Sequence, residues 1–282
     1  MSEMIFSDTR CALGEGPLWH PEEGALYWFD ILGKTLFRRG GAEERRWSFD
    51  RHVSAAGWVE PGVLLIASET DLFRFDTATG TETRCVALEE DNPVTRSNDG
   101  RADPWGGFWI GTMGKNAEPE AGSIYRFHKG EVTRLFDGIT VSNAISFAPG
   151  GGHAYFADTE RHTVWRVALD EDGWPDGDRE VFLDLTEADL YPDGAVVDAA
   201  GNLWVAQWGA ARVAAYSSEG ALLTEVALPA TQTTCPAFGG GDFSVLHVTS
   251  AAHGAPEDDR AAGQTFVFQT GFRGQREHRV LL

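Results

Sequence analysis

Four oxygen-bearing side chains recur at one position of a repeated sequence unit. Glu15, Asn98 and Asn143 each stand six residues before a proline, in EGPLWHP, NDGRADP and NAISFAP. Asp193 stands at the same distance before Ala199, in DGAVVDA. Carboxylate and amide oxygens are the ligands that calcium, magnesium and manganese prefer. Two carboxylates held together without a cation would repel, and the pKa of one would rise. The pattern therefore predicts a site for a divalent cation.

The same residues have an ordinary structural interpretation when each is taken alone. Asn98-Asp99-Gly100 and Asp193-Gly194 are turn signals, whereas a glutamate such as Glu15 contributes little to a turn. Polar residues at one position of four repeats favour a shared site over independent turns. In the two remaining repeats the same register gives Ala55 and Cys235.

A unit of four short strands repeats along the chain and would position these residues. Its most regular member is rich in β-branched and aromatic residues and occurs as ALYWFD (25–30), VLLIAS (63–68), FWIGTM (108–113), AYFADT (154–159), LWVAQW (203–208) and VLHVTS (245–250). A repeat of about 40–50 residues with four strands is typical of a propeller blade. Six copies predict an all-β, six-bladed β-propeller with four-stranded blades around a central channel. The first strands would line that channel, and their starts would meet at one mouth.

The third and fourth strands support the same arrangement. Third strands occur as TLFRRG, DLFRFD, SIYRFH, TVWRVAL, RVAAYS and TFVFQT, and fourth strands as RRWSFD, TRCVAL, VTRLFD and EVFLDL. The sixth unit lacks a clear fourth strand, so either EMIFSD near the N-terminus or HRVLL at the C-terminus completes it. Closure would leave the sheets without an open edge. Since no linker divides the chain, we expect a single domain over residues 1–282; a pair of β-sandwiches fits six copies less well.

Composition argues against several classes of function. The 282 residues carry a formal net charge of −20, which repels nucleic acids and anionic membranes. The three cysteines are far apart and lack C-x-x-C spacing, which argues against a disulfide framework or a zinc knuckle. The start MSEMIFSDTR has neither a basic segment nor an apolar run, and no apolar stretch is long enough to span a membrane. We therefore predict a cytoplasmic protein with no nucleic-acid or membrane partner.

Four stretches of the sequence resemble a known family. LGEGPLWHPEEGALYWFDI, RSNDGRADPWGGFWIGTM, VSNAISFAPGGGHAYFADT and YPDGAVVDAAGNLWVAQWG are similar to the motifs of the senescence-marker-protein/gluconolactonase/regucalcin family, in the family's order and over nearly the whole chain. The resemblance implies a six-bladed propeller and a metal-dependent lactonase, a carboxylic-ester hydrolase of the gluconolactonase type. The implied cofactor is one divalent metal ion, calcium first, and zinc, manganese, magnesium or iron(II) also suit such ligands.

The resemblance implies roles for five residues at the predicted channel mouth. Glu15, Asn143 and Asp193 match the metal ligands of the family. Arg96 matches a substrate-binding arginine. Asn98 matches a residue near the metal that contacts the substrate or a water molecule.

Three further positions follow from the same resemblance. Asp99 is expected to support the site rather than to contact the substrate. The segment GTMGKNAEPEAGS continues into the family's substrate loop, where some members place a glutamate that contacts the sugar. This chain has Asn116 there, beside Lys115, so the resemblance does not fix its sugar preference.

The resemblance implies hydrolysis of a sugar lactone, which is a cyclic ester, to an aldonic acid. A divalent ion can polarise the carbonyl or activate a water. Asp193 is the predicted catalytic residue, because one carboxylate oxygen can ligate the metal while the other takes a proton from water. Candidate substrates are glucono-, xylono- and arabinono-lactone. Two alternatives stay open, a non-catalytic calcium-binding protein like regucalcin and a propeller esterase or organophosphate hydrolase. A protein-binding propeller has no evident use for the two carboxylates.

Overall fold

The computed structural model describes residues 4–282, which are built mainly from β-strands. The first strand, β1 (Met4–Ser7), precedes the first complete sheet. That sheet, blade 1, contains β2 (Gly14–His20), β3 (Ala25–Asp30), β4 (Thr35–Gly40) and β5 (Glu43–Ser48). Blade 2 contains β6 (Val53–Glu60), β7 (Val63–Ser68), β8 (Asp71–Asp76) and β9 (Thr81–Ala87).

Blades 3 to 5 repeat this antiparallel order. Blade 3 contains β10 (Thr95–Ala102), β11 (Phe108–Gly114), β12 (Gly122–His128) and β13 (Glu131–Ile139). Blade 4 contains β14 (Ser142–Phe147), β15 (His153–Asp158), β16 (Thr163–Ala168) and β17 (Glu180–Asp184), with two 3-10 turns at Pro149–Gly151 and Thr159–Arg161. Blade 5 contains β18 (Tyr191–Val197), β19 (Leu203–Trp208), β20 (Arg212–Tyr216) and β21 (Leu222–Ala227).

The N-terminal strand closes the ring by completing blade 6. This sheet has the order β1-β24-β23-β22, formed by β22 (Thr233–Gly239), β23 (Val245–Ser250) and β24 (Thr265–Gln269). Strand β1 pairs antiparallel with β24, with Met4 opposite Val267. Of the two candidate closing segments, the N-terminal one is therefore correct over its described residues, while HRVLL at the C-terminus is not a strand.

The predicted six-bladed propeller is confirmed. The first strands contact one another in the order β2, β6, β10, β14, β18 and β22, and β22 contacts β2 again. The six predicted second strands agree with the observed ones within one residue. Pro21 and Pro61 directly follow the first strands of their blades, as expected because proline has no N–H to extend a ladder.

Burial falls from the channel to the rim. The second strands β3, β7 and β11 are buried along their whole length, whereas the fourth strands β5 and β9 are largely exposed. Apolar clusters lie between neighbouring blades, as where Tyr27 and Phe29 of β3 pack with Leu64 and Ile66 of β7. Burying each such side chain stabilises the fold by about 1.5–3 kcal/mol. Within residues 4–282, no helix is long and apolar enough to cross a lipid bilayer.

Candidate active site

One end of the channel opens into a cavity of about 820 Å³. Seven of the predicted site residues lie in its wall: Glu15, Arg96, Asn98, Lys115, Asn116, Asn143 and Asp193. They come from the starts of β2, β10, β14 and β18 and from the loop after β11. Ala55 and Cys235, at the corresponding register of blades 2 and 6, are buried outside this wall.

A β-bulge near the start of each first strand shapes the cavity wall. In β2 the pairing steps from Glu15–Phe29 to Leu18–Tyr27, so two residues oppose one. The other five first strands have a register shift at the same level. Bulges break the strict alternation of a strand and change the direction of nearby side chains. The repeated bulge therefore lets consecutive blades present polar groups to one point.

The bulges correct one detail of the sequence interpretation. Counting back from the prolines placed the four polar residues at strictly equivalent positions, but they differ by one residue in the ladder. Glu15 and Asn143 form the last pair before the bulge of their strands. Asn98 and Asp193 lie inside the bulge of theirs. The four side chains still line the same cavity, because both positions lie at the mouth end of the strand.

The residues after Glu15 and Asn143 take a left-handed backbone conformation. Gly16 has a φ of 54° and Ala144 a φ of 58°. A Cβ on Gly16 would lie 2.3 Å from the carbonyl oxygen of Ser54, so this bulge requires glycine. At Ala144 the chain holds a side chain in a conformation that costs of order 1 kcal/mol or more. Such strain is typical of positions where the backbone must direct a functional side chain.

Two buried carboxyl groups face one another in the cavity. Glu15 is 4% exposed and Asp193 is 5% exposed, and both carboxyl groups line the same cavity, close enough for each to affect the pKa of the other. Burial, and then the charge of Asp99, raise the pKa of Glu15 to about 8. Burial, and then the charge of Glu15, raise the pKa of Asp193 well above its ordinary value. Burial therefore favours the protonated form of both carboxyl groups, although the charge of Arg96 acts in the opposite direction.

The two amides are held in a defined orientation beside the carboxyl groups. Asn98 Nδ2 donates to Asn143 Oδ1 at 3.1 Å and to the Ser142 carbonyl oxygen at 2.8 Å. Asn143 Nδ2 donates to Thr159 Oγ1 at 2.8 Å, and Thr159 Oγ1 donates to the Pro192 carbonyl oxygen at 2.7 Å. This chain fixes Asn143 with its amide oxygen on the Asn98 side, where the oxygen can still accept from or coordinate a ligand.

Arg96 supplies a buried positive charge at the same point. Its Nη1 donates to Asn98 Oδ1 at 2.7 Å and to the Ser97 carbonyl oxygen at 2.9 Å. Burial lowers the pKa of Arg96 to about 10, and the charges of Glu15 and Asp193 oppose that shift. The guanidinium therefore stays charged near neutral pH and retains N–H groups for a ligand in the cavity.

Asp99 lies below the cavity rather than in its wall. Its Oδ2 accepts from the backbone N–H of Ile145 at 2.7 Å, which ties β10 to β14. Burial raises the pKa of Asp99 to about 6, although the charge of Arg101 and the Ile145 hydrogen bond act in the opposite direction. This placement agrees with a supporting rather than a direct role.

Lys115 and Asn116 lie at the rim of the cavity. Lys115 Nζ forms an ion pair with Glu69 Oε2 of blade 2 at 2.6 Å. Burial is the largest single influence on the Glu69 carboxyl group and acts to raise its pKa. Hydrogen bonds from Lys115 and from the His52 backbone together outweigh burial and lower the pKa of Glu69 to about 2. Asn116 Nδ2 donates to Glu118 Oε1 at 2.9 Å. Both residues line the cavity while partly engaged with neighbouring carboxylates.

Sequence reasoning missed several residues of the wall. Thr159 ends the stretch AYFADT, and its role becomes visible only through its hydrogen bonds. Tyr191 stands two residues before Asp193, on the same face of a strand, so its position in the repeat was an available signal. Trp208 ends β19, within the predicted stretch LWVAQW, and His253 lies in the loop after β23; both line the cavity. The strand that carries Trp208 was therefore predicted, whereas the position of His253 depends on loop geometry, for which the sequence carries no motif.

The donor set suits a hard divalent cation. Within residues 4–282, no group of three or more His, Cys, Asp or Glu side chains is placed to hold a metal ion. Glu15 and Asp193 provide two possible ligands for a cation, and the amide oxygen of Asn143 provides the third. In the described residues neither Glu15 nor Asp193 forms an ion pair with a basic side chain, and Lys115 at the rim is paired with Glu69 instead. Two close carboxylates and an oriented amide oxygen are the donors expected for a cation that keeps open positions for water or substrate.

The fold and the cavity together define a class of protein. It is a closed six-bladed propeller with buried carboxyl, amide and guanidinium groups converging at one channel mouth. Residues 13–252 match the profile of the family described as the SMP-30/gluconolactonase/LRE-like region. The chain belongs to this family.

Individual relatives agree with this assignment over almost the whole chain. It is 37% identical to the L-arabinolactonase of Azospirillum brasilense, over 96% of this chain and 92% of the relative. It is 34% identical to the pentonolactonase XacC of Haloferax volcanii, over 96% of each chain. Among solved structures, the chain is similar to the crystal structure of a calcium-binding protein, regucalcin, from Agrobacterium tumefaciens. The two superpose with a TM-score of 0.97 and are 41% identical in sequence, over 100% of this chain and 98% of the other.

Proposed function

We propose that this protein is a lactonase that hydrolyses sugar lactones to aldonic acids with the help of one divalent metal ion. The observation that carries the proposal is the pair of buried carboxyl groups, Glu15 and Asp193, beside the oriented amide of Asn143. Relatives named as lactonases at 34–37% identity support the same activity. The carboxylate and amide oxygens favour calcium, and manganese, magnesium, zinc or iron(II) are the other candidates.

The proposed metal ligands are Glu15, Asn143 and Asp193. When bound there, a divalent cation supplies positive charge that polarises a carbonyl and lowers the pKa of water. The three side chains come from blades 1, 4 and 5, so closure of the ring is needed to bring them together. Their ionised form requires the cation, because burial otherwise favours the protonated carboxyl groups.

Asp193 is the proposed general base. Its carboxylate takes a proton from the water that attacks the lactone carbonyl carbon, so a new C–O bond forms at that carbon. The bond between this carbon and the ring oxygen then breaks, and the ring oxygen leaves as a hydroxyl group with the proton that Asp193 took from the water, which restores the Asp193 carboxylate. The product is the open-chain aldonic acid, with one water consumed.

Arg96 and Asn98 are the proposed substrate-binding residues at the floor of the cavity. Arg96 retains guanidinium N–H groups and Asn98 lies between Arg96 and Asn143, where both can hold lactone hydroxyls or the carbonyl oxygen. Hydrogen bonds aimed at the developing oxyanion lower the barrier for acyl transfer. Lys115 and Asn116 add polar groups at the rim. This polar wall suits a hydroxylated lactone better than an aryl ester or an organophosphate.

A non-catalytic calcium-binding role is the second candidate. It is favoured by the 41% identical regucalcin structure, which is described as a calcium-binding protein. Such a protein needs the three metal ligands but has no use for a charged arginine at the ligand site. The arrangement of Arg96 beside Asn98 therefore favours catalysis.

The two candidates separate in one assay. Hydrolysis of a panel of aldonolactones, including glucono-, xylono- and arabinono-lactone, is followed with a pH indicator for wild type and for D193A. The proposal expects rapid acid release from at least one lactone by wild type and only the spontaneous rate with D193A. Spontaneous rates for every lactone, from wild-type protein that binds calcium, would establish the non-catalytic role. Faster cleavage of an aryl ester than of any lactone would favour the esterase.

A further inference from the structure

The end of the channel opposite the cavity is covered by residues 274–282, the C-terminal strap. Backbone and side-chain contacts join the strap to all six blades, through Glu22, Trp58, Gly106, Phe147, Asp198 and Phe243. Its Val280 is fully buried in a cluster with residues of β6, β7 and β11. The strap thus reaches every blade without adding a strand to any of them.

The strap places one charged side chain inside the protein. Glu277 is 8% exposed and forms an ion pair with Arg101 of β10, which is also 8% exposed. The indole Nε1 of Trp58 donates to the Glu277 carbonyl oxygen at 3.0 Å, which fixes the strap backbone at this residue. A buried guanidinium needs such a partner, because an isolated buried charge is strongly unfavourable.

Arg101 links the strap to two of the three strands that carry proposed metal ligands. Its Nη2 donates to the Ala195 carbonyl oxygen at 3.1 Å, and its Nε donates to the Ile145 carbonyl oxygen at 3.2 Å. Ala195 stands two residues after Asp193, and Ile145 stands two residues after Asn143. One guanidinium therefore joins β14 and β18 directly below the cavity.

We infer that Glu277 is a positioning residue for the metal site, acting through Arg101. Its carboxylate holds the guanidinium in the channel, and the guanidinium holds β14 and β18 at the separation that brings Asn143 and Asp193 to one cation. Without Glu277 the unpaired charge of Arg101 draws it toward water at the strap end. The carbonyl groups of Ile145 and Ala195 then lose their common donor. This inference rests on the proposed function, since it concerns the same metal ligands.

The test compares full-length E277A and E277Q with V280A as a matched control. Val280 belongs to the same strap and is fully buried, but it packs among apolar side chains of blades 2 and 3. Mn²⁺ affinity of EDTA-stripped protein is measured from the EPR signal of free Mn²⁺, beside thermal unfolding and the kcat and KM of the best lactone. We expect E277A to weaken Mn²⁺ binding about tenfold, as seen for residues that orient metal ligands. E277Q retains a hydrogen-bond acceptor and should show a smaller loss.

The control separates positioning from stability. V280A is expected to lower the unfolding temperature and to leave Mn²⁺ affinity and kcat unchanged. Unaltered Mn²⁺ affinity in folded E277A and E277Q overturns the inference, as does an equal loss in V280A. Failure of both Glu277 variants to fold also overturns it, since the role is then structural. Absence of Mn²⁺ binding or turnover in wild type instead contradicts the proposed function.

Discussion

The two ends of the channel bury acidic side chains in opposite ways. At the strap end, Glu277 is paired with Arg101, and the guanidinium also satisfies two backbone carbonyls. At the cavity end, Glu15 and Asp193 face each other, and burial raises the pKa of both. Both ends occupy the same ring of first strands. The difference therefore lies in ion pairing: Glu277 forms an ion pair with Arg101, whereas Arg96 lies near Glu15 and Asp193 but donates to Asn98 and to the Ser97 carbonyl oxygen instead.

This difference separates a stabilising end from a functional one. A protein selected only for stability would not keep two like charges together in a buried site, because each makes ionisation of the other less favourable. Such an arrangement persists where a ligand or a reaction requires it. Under the proposed function the cavity end takes a cation from outside, whereas the charges of the strap end are paired within the chain.

The largest expected effect is on turnover at the cavity end. D193A removes the proposed general base and a proposed metal ligand together, so lactone hydrolysis should fall on the order of 10³-fold or more. The blades make no apolar contact through this carboxylate, so circular dichroism should match wild type. Near-wild-type turnover by metal-loaded D193A contradicts the assignment.

Stability of the metal-free protein should respond in opposite directions at the two ends. E277A leaves Arg101 as an unpaired buried charge and should lower the free energy of unfolding by about 3 kcal/mol. D193N removes one of two repelling carboxyl groups and should raise it. Denaturant unfolding of EDTA-treated protein measures both changes. Destabilisation of equal size in the two variants would remove the distinction between the ends.

The pH dependence of stability should reveal the Glu15 carboxyl group. In the metal-free fold the pKa of Glu15 is raised from 4.5 to about 8 by burial. Because the folded state binds this proton more tightly, the contribution is fully present below pH 4.5 and is lost as pH rises through about 8. EDTA-treated wild type should lose stability relative to E15Q across this window. A difference in unfolding free energy that stays constant from pH 4.5 to 8 contradicts this account.

The smallest expected effect is at the rim. K115M removes an ammonium that lies beside the cavity and is shared with Glu69. KM for the lactone should rise about three- to tenfold with little change in kcat, as for the loss of one hydrogen bond. K129M, in the exposed turn between β12 and β13, is the matched control and should leave both constants unchanged. A fall in kcat with unchanged KM would place Lys115 nearer the reacting atoms.

The fold could be predicted from the sequence because the strand patterns that indicate it are local and occur in every repeat. Strands such as ALYWFD and VLLIAS are buried on both faces, and their apolar composition and spacing predict blades directly. Closure by β1 was not decided by the sequence, because EMIFSD and HRVLL each contain a run of three apolar residues that could form a strand. Only pairing with β24 distinguishes them.

Only part of the site could be predicted from the sequence. The spacing of Glu15, Asn143 and Asp193 before the ends of their strands indicated a common mouth. The bulges that shift Asp193 by one residue leave no clear mark in the sequence. The Arg101–Glu277 pair joins residues far apart in the chain, and no local pattern predicts such a contact. Long-range packing of this kind is set by the closed ring rather than by any single segment.

The most direct measurement is a stoichiometric metal titration of turnover. EDTA-stripped wild type is titrated with Ca²⁺ or Mn²⁺ while hydrolysis of its best lactone is followed, with the metal content of each sample determined by mass spectrometry. Activity is expected to rise from the spontaneous rate and to reach its maximum at one bound ion per chain. Full turnover by protein that contains no divalent metal would contradict this expectation.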